Sequence, residues 1–587
     1  MTHTVVGRIT APKGFESSPE EAHFWADPGQ RIEKACPVVI TSDPGGGEGP
    51  VEFLGVVDEV RYQSSEDSIH EDRLRCQRGP DVTPPGGQVE GTAYFRVQVL
   101  KTKPDLLVAP VAGSLVRRAT PEEAQEAYGM DGITRGIPFG LLRAGAIQTA
   151  GPLLIDAAYA LGENGAHLNA NGTSGVATKT SALLTFIRSA LAVARREHAE
   201  RPSDLDRFTP VPVLFNVKGP DLLYIDQASR KFTADPSLRQ TWEEMGVEPG
   251  PFRGAHFFVP GLPRSPSEPR PLAERPGLKA YNWGLGDVVE RGLFSYLFAD
   301  SDMENQNFRF LLNLWRERLT QWRDGGRQLS PHGPQTFREL ADEVGKMAGV
   351  EDTGSRRDDF AHRATAQAFF RRLRKIQREA AGVLVWDEPY GRPPEIRPRD
   401  GFAPHVIDLA SLAGSPDTQR FVIAAVMDDL VGQRTAPGAP RGLRFLVMLD
   451  ELNRWAPRGS RDPVTRLIEN IASEMRSMGI VLCGAQQFAS EVSKRVPENS
   501  AIRIMGHTGT GELTDELYRF LTPADRRMVS RLRPGEMLVH VPTFRAPAYA
   551  RLPFPCWATG PEDVLSEDIE VEGHTSGAVI PRRGIRV

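Results

Sequence analysis

Apolar positions change their spacing three times along the chain, and each change marks a different kind of element. Up to about residue 115, short runs rich in Val, Ile, Phe and Tyr (residues 5–9, 37–41, 51–57 and 92–100) are separated by Gly-, Pro- and Ser-rich stretches. Strands at that spacing predict a small barrel or sandwich over residues 1–118, suited to assembly or docking rather than chemistry. A short helix over Pro121–Tyr128 follows. From residue 136 the pattern alternates. Residues 166–181 read as a short buried strand, a Gly-containing turn, and a helix opening at Lys179-Thr180 with Leu183, Leu184, Ile187 and Leu191 on one face. Residues 211–217 (Val-Pro-Val-Leu-Phe-Asn-Val) are nearly all apolar, as parallel strands buried on both faces are. Strand, loop, helix and strand make a βαβ unit.

The middle of the chain, 231–399, reads as a helical insertion with helices over 308–322 and 365–385, bracketed by proline clusters. The second helix carries Arg371, Arg372, Arg374, Lys375 and Arg378, which fit either a phosphate backbone or a solvated helix face. The sheet resumes at 405–409 and 443–449. A helix with Val464, Leu467, Ile468, Ile471, Met475 and Met478 on one face leads to another buried strand, 480–485. The predicted architecture is α/β with a mostly parallel sheet, assembled from 136–230 and 400–558, and a polar tail over 559–587.

Length and composition change this picture little. A chain of 587 residues holds several domains, and four widely spaced cysteines argue against a disulfide framework and for a reducing cytoplasm. No apolar run reaches membrane-spanning length, so no membrane partner is expected. A net charge of −5 neither demands nor excludes a polyanion.

The chemistry concentrates at two places. The turn before Lys179 leaves backbone N–H groups facing one concavity at a helix N-terminus, where phosphate is the natural occupant. Candidate nucleotide contacts are Gly172, Ser174, Gly175, Ala177, Thr178, Lys179, Thr180 and Ser181. Seven positions separate Gly172 from Lys179, and Thr178 stands where the G-x-x-x-x-G-K-[ST] pattern has its second Gly. Taken alone, this stretch fits an ordinary strand-to-helix connection equally well. About 270 residues downstream, an apolar strand ends in Asp450-Glu451. Asp450 can hold Mg²⁺ with Thr180, and Glu451 can polarise an attacking water; an acidic helix cap is the plain alternative. Gln486, leaving the next strand, can sense a γ-phosphate or orient water. Arg476 can cap its own helix or reach across a subunit boundary as an arginine finger, and Arg503 is a second candidate for that role.

With these residues in view the chain resembles the HerA family, hexameric DNA translocases of the HerA/FtsK branch of P-loop ATPases. The likeness rests on the barrel opening Val6-Gly7-Arg8, the loop region 168–180, Leu446-Val-Met-Leu-Asp450-Glu451, and the run from Glu474-Met-Arg476 through Ala485-Gln486 to Ile502-Arg503. Val217-Lys218-Gly219 resembles the segment after the second core strand. The resemblance implies a RecA-like P-loop core, ATP and Mg²⁺ bound between subunits, and Arg476 or Arg503 acting in trans. It also implies double-stranded DNA through a hexameric ring, and a NurA-type nuclease docked on the barrel for end resection in double-strand break repair. The alternative from another class is a non-motor ATP-binding ring that recruits an effector, as in antiphage defence. The Gly-poor loop favours that alternative and Glu451 favours the motor.

Overall fold

The computed structural model describes residues 4–26, 29–45, 47, 49–64, 71, 91–163, 165–173, 179–202, 204, 207–270, 275–298, 302, 305–321, 333–349, 363–398 and 402–565. The N-terminal part closes into a six-stranded antiparallel barrel from β1 (Val5–Thr10), β2 (Glu21–Ala26), β3 (Pro37–Ser42), β4 (Val51–Ser64), β5 (Gly91–Lys103) and β6 (Leu115–Arg118). Their order around the barrel is β1-β2-β5-β4-β3-β6. Val6, Phe24, Val38, Ile40, Phe53, Val57, Phe95 and Val97 fill its interior. Gly7 is fixed by close approach: a Cβ there would lie 2.1 Å from the Trp25 carbonyl oxygen on the paired strand. Helix α1 (Pro121–Tyr128), closed by a capping box between Thr120 and Glu123, joins the barrel to the core.

The core is one 13-stranded mixed sheet. Its strands are β7 (Gly136–Arg143), β8 (Thr149–Asp156), β9 (Leu168–Asn171), β10 (Thr209–Asn216), β11 (His256–Leu262), β12 (Ser265–Pro269), β13 (Leu278–Tyr281), β14 (His405–Asp408), β15 (Leu443–Leu449), β16 (Ile480–Gln486), β17 (Ile502–Met505), β18 (Glu536–His540) and β19 (Ala548–Arg551). The order β12-β11-β14-β10-β15-β16-β9-β17-β18-β19-β7-β8 runs across it, with β13 paired to β11. From β11 to β17 every neighbouring pair is parallel; the flank from β17 to β8 is antiparallel. Numbering β9, β10, β15, β16 and β17 in chain order, they lie 5-1-4-3-2, the order of a RecA-like core.

Both faces of the parallel part are covered, which is why its strands read as continuous apolar runs. Along β15, Phe445, Val447 and Leu449 point into one core and Leu446 and Met448 into the other. Helix α2 (Lys179–Glu200) supplies Leu183, Leu184, Ile187 and Leu191 to the second core. Later come α3 (Gln306–Gln321), α4 (Phe337–Met347), α5 (Arg363–Glu379), α6 (Pro416–Thr435) and α7 (Pro463–Glu474), whose apolar side chains join the first core. In α7, Asp462 caps the N-terminus by accepting from Val464 and Thr465, with Pro463 at the first helical position.

The stretch 231–399 is not purely helical. It also carries β11, β12 and β13, and β11 pairs with β14, so this insertion widens the sheet as well as capping it. Short runs broken by Pro and Gly hid these strands from a reading based on helical periodicity. On α5 two of the five residues of the basic run are ion-paired in place: Arg372 with Asp302 at 2.6 Å, and Lys375 with Asp417 at 3.2 Å and Glu379 at 3.5 Å. Among the described residues no helix is long and apolar enough to cross a membrane.

Candidate functional site

In an open parallel sheet the carboxyl ends of the strands, where the connections part in opposite directions, form the crevice for a ligand. Here β9 hands over to α2 and then β10 on one side, while β17 lies on the other. Gly172, Lys179, Thr180, Asp450 and Glu451 come together at that edge. Parallel pairing of β10 with β15 sets Phe215 opposite Leu449, and pairing of β16 with β9 sets Gln486 opposite Asn171.

Gly172, leaving β9, has φ +140°, and a Cβ on it would stand 3.1 Å from the His507 carbonyl oxygen, so the chain needs glycine there. Lys179 opens α2 and is 3% exposed; its Nζ donates to the Gly172 carbonyl at 2.7 Å. Burial holds this ammonium below the ordinary lysine pKa; Asp450 and Glu451 oppose the shift and Lys218 adds to it. Thr180 Oγ1 donates to Asp450 Oδ2 at 3.0 Å, while the Glu451 N–H donates to Asp450 Oδ1 at 2.8 Å. Trp455 Nε1–H holds the Asp450 carbonyl at 2.8 Å. Ser181 is half-buried on the first turn of α2. Ser174, Gly175, Ala177 and Thr178 lie outside the described residues.

Glu451 is 7% exposed and sits at φ +57°, ψ +46°, the left-handed region. For a residue other than glycine this costs roughly 1–2 kcal/mol, and such strain gathers at functional sites. The conformation turns its carboxylate back along the sheet edge, where Lys218 Nζ pairs with Oε1. Thr180 and Asp450 offer the hydroxyl and carboxylate oxygens that a hard divalent cation takes. Among the described residues no group of three His, Cys, Asp or Glu side chains could form an all-protein metal cage. A cation held by two protein oxygens, water and phosphate needs none.

Gln486 departs from its expected aim. It is fully buried, and its amide pairs reciprocally with Asn169: Nε2 donates at 2.6 Å and Oε1 accepts at 3.2 Å. Arg503 is likewise engaged in its own chain, donating to the Leu517 carbonyl at 3.0 Å and lying 5.1 Å from the Phe520 ring centre. Arg476 is exposed in the turn Arg476–Met478 that precedes β16. Gln486 at the far end of β16 marks the site's edge, about 20 Å away at 3.3 Å per residue. Within one chain Arg476 cannot reach Lys179.

Several residues at this edge escaped the sequence reading. Asn171 donates to Thr508 at 3.2 Å and to the Tyr518 hydroxyl at 3.0 Å, and Tyr518 donates to Glu512 at 2.9 Å. Glu512 in turn accepts from the Ser490 backbone N–H at 3.0 Å and hydroxyl at 2.6 Å. The signal available was the alternation His167, Asn169, Asn171 in a strand otherwise apolar, since buried amides are kept only with partners. A cleft of about 280 Å³ opens beside the loop, lined by Gly172, Thr173, Lys179, His507, Arg533 and Glu536 among others.

His167, at φ +69° and 1% exposed, accepts at Nδ1 from the Leu482 N–H at 3.0 Å. Burial lowers its pKa to about 4. The unfolded chain binds this proton below about pH 6.5 and the folded one only near 4. Its contribution to stability is therefore complete above about pH 6.5 and is lost as pH falls toward 4, by about 3 kcal/mol at most. Thermal midpoints measured from pH 7 to 4.5 should fall less steeply in His167→Gln than in the parent; equal slopes would remove His167 as the group responsible.

No protein-family model and no curated protein sequence matches the chain. Solved structures are similar to it at low identity. VirB4 of Thermoanaerobacter pseudethanolicus is 16% identical, with 72% of this chain and 97% of that one covered and a TM-score of 0.41. The plasmid coupling protein TrwB, in complex with a non-hydrolysable GTP analogue, is 14% identical over 68% of this chain and 88% of that one, with a TM-score of 0.41. The genome packaging NTPase B204 from Sulfolobus turreted icosahedral virus 2, in complex with ATP-gammaS, is 14% identical over 24% of this chain and 62% of that one, with a TM-score of 0.18.

Proposed function

We propose that this chain is an ATP-hydrolysing motor of the HerA/FtsK type, cytoplasmic, working as a homo-oligomeric ring, a hexamer, that moves along double-stranded DNA. The observation that carries the reading is the convergence of Lys179, the Thr180–Asp450 pair and Glu451 on one sheet edge from positions up to 270 residues apart. An ordinary strand-to-helix connection gives no reason to bury a lysine, an aspartate and a glutamate together. Lys179 would leave the Gly172 carbonyl for the β- and γ-phosphates. Thr180 and Asp450 would hold Mg²⁺, which when bound neutralises phosphate charge. Glu451 would orient a water whose oxygen attacks the γ-phosphorus as the bond to the ADP oxygen breaks. Buried in its pairing with Asn169, Gln486 supports the loop strand rather than the water.

The finer reading is a HerA-type translocase with a NurA-type nuclease on its barrel, acting in end resection during double-strand break repair. Steady-state ATP hydrolysis with and without double-stranded DNA tests the motor: stimulation by DNA supports it, and turnover indifferent to DNA sinks it. The second reading, a ring that binds nucleotide to assemble and recruits an effector, draws support from Lys179 closed on Gly172 and Glu451 held by Lys218.

Arg476, out of reach of its own site, suits service in trans, which a closed ring of heterologous interfaces permits. Arg476→Ala should lower turnover about a thousandfold or more. Mixed with Glu451→Gln subunits, whose own hydrolysis is also lost, it should regain turnover, because some interfaces then pair an intact Glu451 with an intact Arg476. Failure of the mixture to recover removes the trans assignment.

A further inference from the structure

We infer that Lys218 is a phosphate-responsive latch on Glu451: it holds the carboxylate when no γ-phosphate is present and transfers to the γ-phosphate when one arrives. This rests on the nucleotide reading of the site above.

The register brings the two residues near each other, with Lys218 one position beyond the level of Glu451. Phe215 of β10 stands opposite Leu449 of β15, so two residues on, the chain leaving β10 runs beside Glu451. The backbone there is pinned rather than loose. Asn216 Nδ2 donates to the Gly219 carbonyl at 2.8 Å and to Asp408 Oδ1 at 2.8 Å, and Gly219 turns at φ +47°. Asp408 is anchored in turn by Ser411 and the Ala410 N–H. From this fixed base the Lys218 side chain reaches Glu451. It is 49% exposed, whereas the Glu451 side chain is 10% exposed. A long side chain on a rigid root can swing while its root stays put.

Two features make the contact more than an incidental ion pair. First, an oxygen of Glu451 occupied by an ammonium is withdrawn from the water it would have to orient. Second, Lys218, paired with Glu451, lies near enough to Lys179, paired with the Gly172 carbonyl, for the two positive charges to repel. With Asp450 held by Thr180 and the Glu451 N–H, Glu451 is the carboxylate in ion-pair contact with Lys218, and Asp221 acts on it from farther off. A γ-phosphate, carrying more charge and more acceptor oxygens than a carboxylate, is the stronger partner. ADP lacks that group and leaves the latch in place. Lys218 is therefore a positioning residue for Glu451, and it makes the site answer to triphosphate rather than diphosphate.

The test is a double-mutant cycle on nucleotide affinity, in full-length protein with Mg²⁺, using the β,γ-imido analogue of ATP and, separately, ADP. Removing Glu451's hold frees Lys218, so Glu451→Gln should tighten analogue binding about tenfold and leave ADP binding unchanged. In a Lys218→Met background the same Glu451→Gln change should give no tightening, and Lys218→Arg should restore it. Equal tightening with and without Lys218, or equal tightening for ADP, overturns the latch. Absence of analogue binding in the parent chain would instead overturn the nucleotide reading itself. A merely structural ion pair would lower thermal stability in both single variants without distinguishing the two nucleotides.

Discussion

Glu451→Gln is expected to lower steady-state ATP hydrolysis about a hundred- to ten-thousandfold while nucleotide binding is retained. Those factors are what a positioned general base contributes. Glutamine has the size of glutamate, so the volume the side chain fills is kept and the left-handed backbone is unchanged. What is lost is the charge that pairs with Lys218 and that would accept the water's proton. Hydrolysis measured on assembled protein with saturating ATP·Mg²⁺ and DNA gives the answer. Turnover unchanged by this substitution would remove Glu451 from the chemistry and leave the strand-end carboxylates as an ordinary cap.

Lys179→Ala should act on the other half of the cycle. A charge-assisted hydrogen bond contributes about 1.5–3 kcal/mol, so nucleotide affinity should fall about tenfold to a hundredfold. The rise in thermal midpoint on adding ATP·Mg²⁺ should shrink accordingly, since a ligand stabilises only in proportion to its binding. The protein without nucleotide should not suffer. Lys179 is 3% exposed with its ammonium penalised by burial, and its one described hydrogen bond goes to the Gly172 carbonyl. The nearby carboxylates keep other partners, Asp450 the Thr180 hydroxyl and the Glu451 N–H, and Glu451 the Lys218 ammonium, so no charge is orphaned. A variant that unfolds, or that binds nucleotide as well as its parent, contradicts this account of the loop.

What could be read from the sequence was whatever depended on local pattern. The apolar runs of β10, β15 and β16 announce strands covered on both faces, and Lys179-Thr180 with Asp450-Glu451 can be found by their places at strand ends. The barrel was legible from four of its six strands. Glu21–Ala26 mixes Glu21 and His23 with apolar residues, and Leu115–Arg118 is only four residues long and half of it is arginine. What could not be read was whatever depended on partners distant in the chain. Gln486 at a strand end resembles a sensor until Asn169, 317 residues away, captures its amide. Arg503 resembles a finger until the Leu517 carbonyl holds it. The left-handed backbone of Glu451 leaves no trace in residue type, since glutamate has no preference for it. Lys218 was visible only as part of a tripeptide; its pairing with Glu451 follows from strand register, which the sequence does not print.

Strand β16 carries a last consequence. All seven of its residues are buried, Arg476 stands in the turn at its start, and Gln486, locked to Asn169 of β9, stands at its end. A close-packed strand is displaced as a unit rather than compressed. In a ring, the same rod would touch the neighbour's nucleotide at one tip and its own loop at the other. A displacement of Arg476 by the neighbour would then be carried along one buried strand to Asn169 of β9.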